Sequence, residues 1–422
     1  MNSQKSVVFQ KINYFLLAFT VSAFYFCRYI FMPLAIVFLL LAVVENNWRE
    51  RYHLLKQRGW LGFAAVMLAF YLLYMVGTLY SSDVGLAFSE WEYKIWLLVA
   101  PVALLPILAR TTRRQNDLLL LCFVISVLVV AVLCMLHSVI EYVRTDNVFS
   151  FFYMNAGRLP LNSFSHPSYC AMYETVCMVI VIEFLRGKNE LLEGRWRRRL
   201  SWLALGVFLL HIFLLQSKMA VLVFAALFLF YLIFLLNLHQ RRVWATLGIL
   251  LVLVVGGVML VSRMNTRVVN SLQTYQEADK VDPQESSAIR MALWQCSWEI
   301  YEKNWAFGVG PGDVLSELHD REVAHGYVYL SQHSAKCHNQ YLQNMVALGI
   351  PGLLVLLAFW AWPAVFAWRK KDLLTLLLIF IVGANMLVDC VLQYYPGSTF
   401  TPIFLSICFA RGHSMPCGEK WA

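Results

Sequence analysis

The chain has 422 residues, 60% of them hydrophobic and 14% charged, with a formal net charge of +9 and a mean hydropathy of +0.62. An ordinary soluble domain is about 45–50% apolar and about 25% charged, so a polar, basic nucleic-acid-binding module and a disordered chain are both excluded. What the positive charge means depends on where along the chain it sits.

A helix crossing the hydrocarbon layer needs about 20 mainly apolar residues, because lipid offers free backbone groups no partner. Apolar runs between charged breaks predict spans near 12–27, 30–44, 60–79, 95–109, 117–140, 167–185, 200–216, 219–237 and 244–262, and again near 341–367, 373–392 and 399–410. The expected fold is an all-α polytopic membrane protein of about twelve transmembrane helices: nine in residues 1–262, then a long loop over 263–340, then three in 341–422 with a short tail. With the N-terminus inside, 22 of the 34 Lys and Arg fall on the inner side, among them the GRWRRR cluster of 194–199. Basic residues of short loops stay in the cytoplasm, so both termini are expected there and the long loop outside. Residues 12–27 lack a small-residue cleavage site and run into another apolar segment, so no cleavable signal peptide is expected.

The loop 263–340 is far longer than the other connections, and loops of that length are usually functional. It carries ten acidic and seven basic residues, a net of −3 in a chain of +9, so the basic excess reports topology rather than an anionic partner. Asp282 can cap a helix, Pro283 suits its first position and Glu285 completes a capping box. Ile289, Leu293, Cys296 and Ile300 then repeat at helical spacing, predicting a helix over 283–303 with one apolar face. The glycine-rich Gly308 to Asp313 ends it, and an irregular stretch over 314–337 leads to His338. Cys296 and Cys337 alone among the ten cysteines lie in this outer segment. A disulfide is chemically allowed there, although small buried thiols are the commoner fate.

Arg290, Lys218, Arg158, His166 and His338 all face the outer compartment at or near the membrane under this topology. Clustered cations at a low-dielectric boundary suit a polyanionic headgroup such as a diphosphate, and a histidine beside it can serve as general base. Each residue also has a plainer reading. His338 could cap the helix after it, Arg290 could sit solvated on an exposed face, and Lys218 could be a snorkelling anchor. His166 precedes Pro167 at a helix start, where it could make a turn. Asp389 lies in the predicted span 373–392, where a carboxylate is expensive and usually functional. Asn339 adjoins His338. Glycines 308, 310 and 312 could bring backbone N–H groups to a phosphate, or only make a turn.

The string HNQYLQNMVALGIPGLL (His338 to Leu354) resembles the signature of the O-antigen ligase and O-antigen polymerase superfamily: a His-Asn or His-Ser pair opening a helix, then a Gly-x-x-Gly turn, here Gly349 and Gly352. Upstream, RMALWQCSWEIYEKNWAFGVGPGD is similar to that family's arginine helix with its Gly-x-Gly-x-Gly loop. The motifs cover about 286–355, and the layout of about twelve spans with one large periplasmic loop is similar throughout. The family usually has a Ser-Arg step at the outer end of a mid-chain helix; here the sequence is Gln216-Ser217-Lys218-Met219. Lysine keeps the charge but loses the bidentate fork. FSHPSYCAMY (Phe164 to Tyr173) resembles a stretch near the substrate groove in one branch of the family.

The resemblance implies a GT-C-type, inverting, metal-independent glycosyltransferase of the bacterial inner membrane, without a cofactor, whose site faces the periplasm. Its donor would be an undecaprenyl-diphosphate-linked glycan and its acceptor a hydroxyl of lipid A–core or another glycan. By the same resemblance His338 would deprotonate the acceptor, while Arg290, with Lys218 as counterpart of the family arginine, would hold the diphosphate. Asp389, Asn339, His166 and Arg158 are further candidates. O-antigen polymerase and protein O-oligosaccharyltransferase stay open within the superfamily. Protein-glycosylating members often carry an extra C-terminal domain, and this chain ends about ten residues past its last predicted span, which favours ligase or polymerase. A lipid or polysaccharide transporter fits the span number, but such proteins tend to show internal repeats and midplane broken helices, which the sequence does not display.

Overall fold

The computed structural model describes residues 3–26, 30–151, 166–235, 286–327, 330 and 336–413. Among them the secondary structure is entirely helical. The helices are α1 (Ser3–Ala23), α2 (Phe31–Glu45), α3 (Trp48–Arg58), α4 (Leu61–Thr78), α5 (Val84–Tyr93), α6 (Ile95–Leu108, with a π-helical centre) and α7 (Arg113–Thr145). They continue with α8 (Pro167–Arg186), α9 (Arg195–Leu215), α10 (Lys218–Leu235), α11 (Ser286–Lys303), α12 (Val314–Ala324), α13 (Gln340–Lys370), α14 (Leu373–Asn385) and α15 (Tyr395–His413).

Among the described residues five helices, α4, α7, α8, α9 and α13, are long and apolar enough to cross a membrane, or seven spans if the bent pairs α2–α3 (105°) and α5–α6 (51°) each count as one. The chain is therefore a polytopic α-helical membrane protein; the number twelve stays an expectation, and its predicted span 244–262 lies outside the described residues. The helix starts follow local chemistry. Thr112 and Gln115 form a reciprocal capping box at α7, Asp83 accepts from Leu86 N at α5, and Asn339 accepts from Tyr341 N and Leu342 N at α13. Each satisfies donors that a helix start leaves without a partner.

Helices α8 and α15 are buried along almost their whole length. Around them an aromatic cluster joins four parts of the chain: Phe24 after α1, Phe123 of α7, Tyr173 of α8, and Phe400 with Phe404 of α15. Its ring centroids lie 4.2 Å apart for Phe123–Phe404 and 5.4 Å for Phe24–Tyr173. Such edge and offset contacts add to the area they bury.

The predicted inner segments meet at one end of this bundle. Glu45 is bridged by Arg51 and Arg110, Arg58 reaches the carbonyls of Ala109 and His413, and Asp117 takes Arg411 and Asn189. Helix α8 leads away from that end for 20 residues, about 30 Å at 1.5 Å per residue. His166, at its start, therefore lies at the opposite end.

Two sequence expectations change, and the start of a third lies at the edge of the described residues. The arginine helix begins at Ser286 among the described residues, while its expected cap, Asp282 to Glu285, lies outside them. The stretch taken as irregular contains α12, whose Val314, Leu318 and Glu322 bury one narrow stripe; its polar remainder hid the periodicity. The predicted span 373–392 stops at Asn385, whose amide donates to the Ile381 carbonyl. Residues 386–393 return as a turn and a short 3₁₀ segment (Val391–Gln393), so Asp389 lies outside the helix. Cys296 and Cys337 are free and buried, and burial pushes both thiols up to about 12.

Candidate active site

Helix α13 is interrupted in its third turn. Gly349 adopts φ +64°, ψ −151°, and Pro351 has no N–H. An unbroken helix would direct the N–H of Ile350 to Val346 and that of residue 351 to Ala347, so the break leaves both carbonyls without their helical donors. The glycine-rich loop after α11 supplies them: Val309 N donates to Val346 O (2.9 Å) and Gly310 N to Ala347 O (3.0 Å), while Ile350 N donates to Trp305 O (2.9 Å). The remaining N–H groups of 308–313 are also engaged, Gly308 with Asn304 O, Gly312 with Ser81 Oγ and Asp313 with Gly310 O. The phosphate cradle considered from sequence is thus corrected. These N–H groups dock the arginine helix onto α13 and have none to spare for an anion.

The docked loop also grips the bundle. The Asp313 carboxylate accepts from Ser82 N (2.6 Å) and Asp83 N (2.8 Å), fixing the start of α5. Added Cβ atoms at Gly308 or Gly349 would approach the facing backbone to 2.4–2.5 Å, closer than side-chain carbons go.

His338 stands at the mouth of α13 with φ +47°, a left-handed conformation uncommon outside glycine. Asn339 beside it is the helix cap, which is what the structure gives that candidate to do. Asp389 is brought opposite by Gln340, which ties both ends of its turn: Gln340 N donates to Met386 O (2.8 Å) and Leu392 N donates to Gln340 Oε1 (2.7 Å). His338 Nδ1 lies 3.6 Å from Asp389 Oδ1, an ion-pair contact slightly longer than a hydrogen bond. Nδ1 is buried although the side chain is 30% exposed, so the accessible part of the ring lies elsewhere on it.

Arg290 of α11 donates its Nε to Val388 O (2.8 Å), which fixes the guanidinium beside Asp389. Trp294, one turn on, donates to the His338 carbonyl (3.3 Å). His166 accepts weakly from Ser168 N at the start of α8 and lies within electrostatic reach of Asp389, Arg290 and His338. Burial pushes the Asp389 carboxyl up, but the contact with His338 and the positive charges of His166 and Arg290 outweigh it and hold the group below the usual carboxylate range. A carboxylate, two imidazoles and a guanidinium therefore share one end of the bundle. Lys218 occupies the first position of α10, and Arg158 lies outside the described residues.

Beneath His338 is a polar network that the sequence reading missed. Lys94, wholly buried at the α5–α6 bend, pairs with Glu90 and donates to Gln393 Oε1 (2.9 Å). Lys336, two residues before His338, lies 3.5 Å from Glu90 Oε1, donates to Gln393 O (2.9 Å), and sits over the rings of Tyr93 and Tyr394. The available signal was Glu90 and Lys94 at i,i+4 spacing in the aromatic run SEWEYKIW. Their position at the edge of a predicted span concealed it.

Residues 200–357 match the family model of the O-antigen ligases. That segment is an O-antigen ligase family domain. None of the curated proteins compared with the chain matches it. The matched segment contains Lys218, Arg290, His338, Asn339 and the glycines of the broken α13, whereas His166, the cap of α8, and Asp389, in the turn after α14, lie outside it. Over that segment the match supports the O-antigen ligase and polymerase superfamily.

Proposed function

We propose that the chain transfers a glycan from an undecaprenyl-diphosphate carrier to a hydroxyl of lipid A–core, as an inverting, metal-independent glycosyltransferase of the inner membrane. The observation that carries the reading is the pairing of His338 Nδ1 with Asp389 beside the anchored Arg290, on a segment of the O-antigen ligase family. The carboxylate orients the ring and stabilises the imidazolium, as in other carboxylate–histidine pairs. Nε2 then takes the proton of the acceptor hydroxyl as its oxygen attacks the anomeric carbon from the face opposite the diphosphate. The bond from that carbon to the diphosphate oxygen breaks, the configuration inverts, and the leaving group departs as undecaprenyl diphosphate. Arg290, with Lys218, is assigned to the developing negative charge, which fixed cations stabilise strongly in a low-dielectric site; His166, which burial holds toward its neutral form, is assigned to the same outer end as a hydrogen-bonding group. Arg158 is assigned to the same outer surface. In this reading the site faces the periplasm, both termini are cytoplasmic, and twelve helices cross the membrane.

Deleting the gene and separating the surface polysaccharide on a gel tests the reading. Bare lipid A–core with carrier-linked polymer accumulating supports a ligase; caps of a single repeat unit would make the chain a polymerase instead. Arg290→Ala should lower kcat/KM for a diphosphate-linked donor by about 10²–10³-fold, with Arg290→Lys recovering part of it, since charge survives and the fork does not. Unchanged kinetics in Arg290→Ala would remove it from the site. Because fixed cations take the place of a metal in this scheme, EDTA should leave transfer by the purified protein intact, and strong inhibition reversed by a divalent ion would overturn the metal-independent mechanism.

A further inference from the structure

At the end of the bundle opposite His338, helix α9 opens with Arg195, Arg197, Arg198 and Arg199, all exposed. This is an unfavourable place for them. The positive end of the helix dipole repels cations, and like charges three and four residues apart repel each other. The first turn has no acidic residue and no side-chain cap. None of the four arginines forms an ion pair among the described residues. The chain therefore concentrates positive charge where its own structure opposes it, and the compensating anions come from outside.

The surroundings identify them. Trp196 is 75% exposed and Trp202 66%, and Arg199 lies over the Trp196 ring at 5.5 Å. Exposed tryptophans beside arginines mark the membrane–water interface. Arg198 also lines a shallow cleft with Lys188 over an apolar floor of Phe184, Leu185 and Leu192, with Glu193 as its carboxylate. Basic charge above apolar surface at headgroup depth matches a phospholipid, whose phosphate meets the arginines while its chains meet the helix.

We infer that this arginine–tryptophan patch binds the headgroups of anionic phospholipids in the adjacent leaflet. Only the naming of that leaflet as cytoplasmic rests on the topology proposed above. A patch that served topology alone would need charge during insertion and would show no lipid preference afterwards.

The test is the thermal stability of the full-length protein in nanodiscs of phosphatidylcholine with increasing phosphatidylglycerol, at low and high salt. Wild type should gain stability with the anionic lipid, and the gain should shrink as salt screens it. A basic residue near an anionic surface contributes about fivefold in affinity, so Arg195→Gln/Arg197→Gln and Arg198→Gln/Arg199→Gln, each removing two, should each weaken binding of the anionic lipid, and so shift its midpoint, by about 25-fold. Each double variant keeps two arginines and Lys188, enough positive charge to hold the orientation. A wild type indifferent to phosphatidylglycerol overturns the inference, as do double variants with an unshifted midpoint. The readout does not depend on glycan transfer, so its failure leaves the proposed reaction standing.

Discussion

His338→Ala is expected to eliminate glycan transfer, a loss of about 10²–10⁴-fold in kcat, with no loss of thermal stability. The side chain is 30% exposed and its Nδ1 makes a 3.6 Å contact, so removing it forfeits little packing. His338→Gly should separate the two properties further. At φ +47° a glycine relieves a left-handed backbone that an ordinary residue adopts at a cost of about 1 kcal/mol, so this variant should be slightly more stable than wild type and equally inactive. Opposite movement of stability and activity is the mark of strain kept for function. Asp389→Asn, which keeps the shape and removes the charge, should lower kcat by about 10²–10⁴-fold with little change in donor KM. The pH behaviour follows from the sign of the Asp389 shift. A carboxyl held below its usual value contributes its contact above about pH 4 and loses it only as pH falls through the depressed value. A fall in wild-type activity between about pH 7 and pH 5 is therefore not a titration of Asp389. These rates are measured with purified protein, a lipid-linked donor and a defined acceptor. Full transfer by His338→Ala would end its assignment as the base.

The sequence revealed what depends on composition and local pattern. Apolar runs located the helices, sided charges gathered the segments that meet around Glu45 and Asp117, and the spacing of Leu293, Cys296 and Ile300 placed the arginine helix. What it obscured depends on how distant segments meet. Asp389 read as part of a span because Leu373 to Leu392 is continuously apolar around it. Only the tertiary bonds of Gln340 to Met386 and Leu392 show that the chain leaves the helix to present that carboxylate to His338. The glycines of 308–312 are equally consistent with a phosphate loop and with close backbone packing, and the hydrogen-bond accounting across α13 decides between them. Lys94 and Lys336 lay in aromatic surroundings at the margins of predicted elements, 242 positions apart in the chain. Their common partners, Glu90 and Gln393, exist only in the folded bundle.

Gly349→Ala should be the most damaging small substitution outside the reacting groups. The pair φ +64°, ψ −151° lies in a region that is close to glycine-only, at about 1–3 kcal/mol for other residues. The new methyl would also stand 2.5 Å from Ala306 C and 2.6 Å from Phe307 N, and relief requires the loop to withdraw from α13. Withdrawal breaks the bonds from Val309, Gly310 and Ile350 and strands buried carbonyls at about 1–3 kcal/mol each. The combined expectation is a destabilisation on the order of 4 kcal/mol, within the class that only a few mechanisms reach. Activity should fall beyond what stability explains, because the loop positions α11 and so carries Arg290 and Trp294 away from Asp389 and His338. Gly206→Ala is the matched control: it lies inside α9 with open space around the added methyl, and helix propensity predicts a neutral or slightly stabilising change of up to about 1 kcal/mol. Thermal midpoints and transfer rates of the two variants in the same detergent decide the matter. Equal behaviour of Gly349→Ala and Gly206→Ala would mean that the break in α13 does not hold the arginine helix in place.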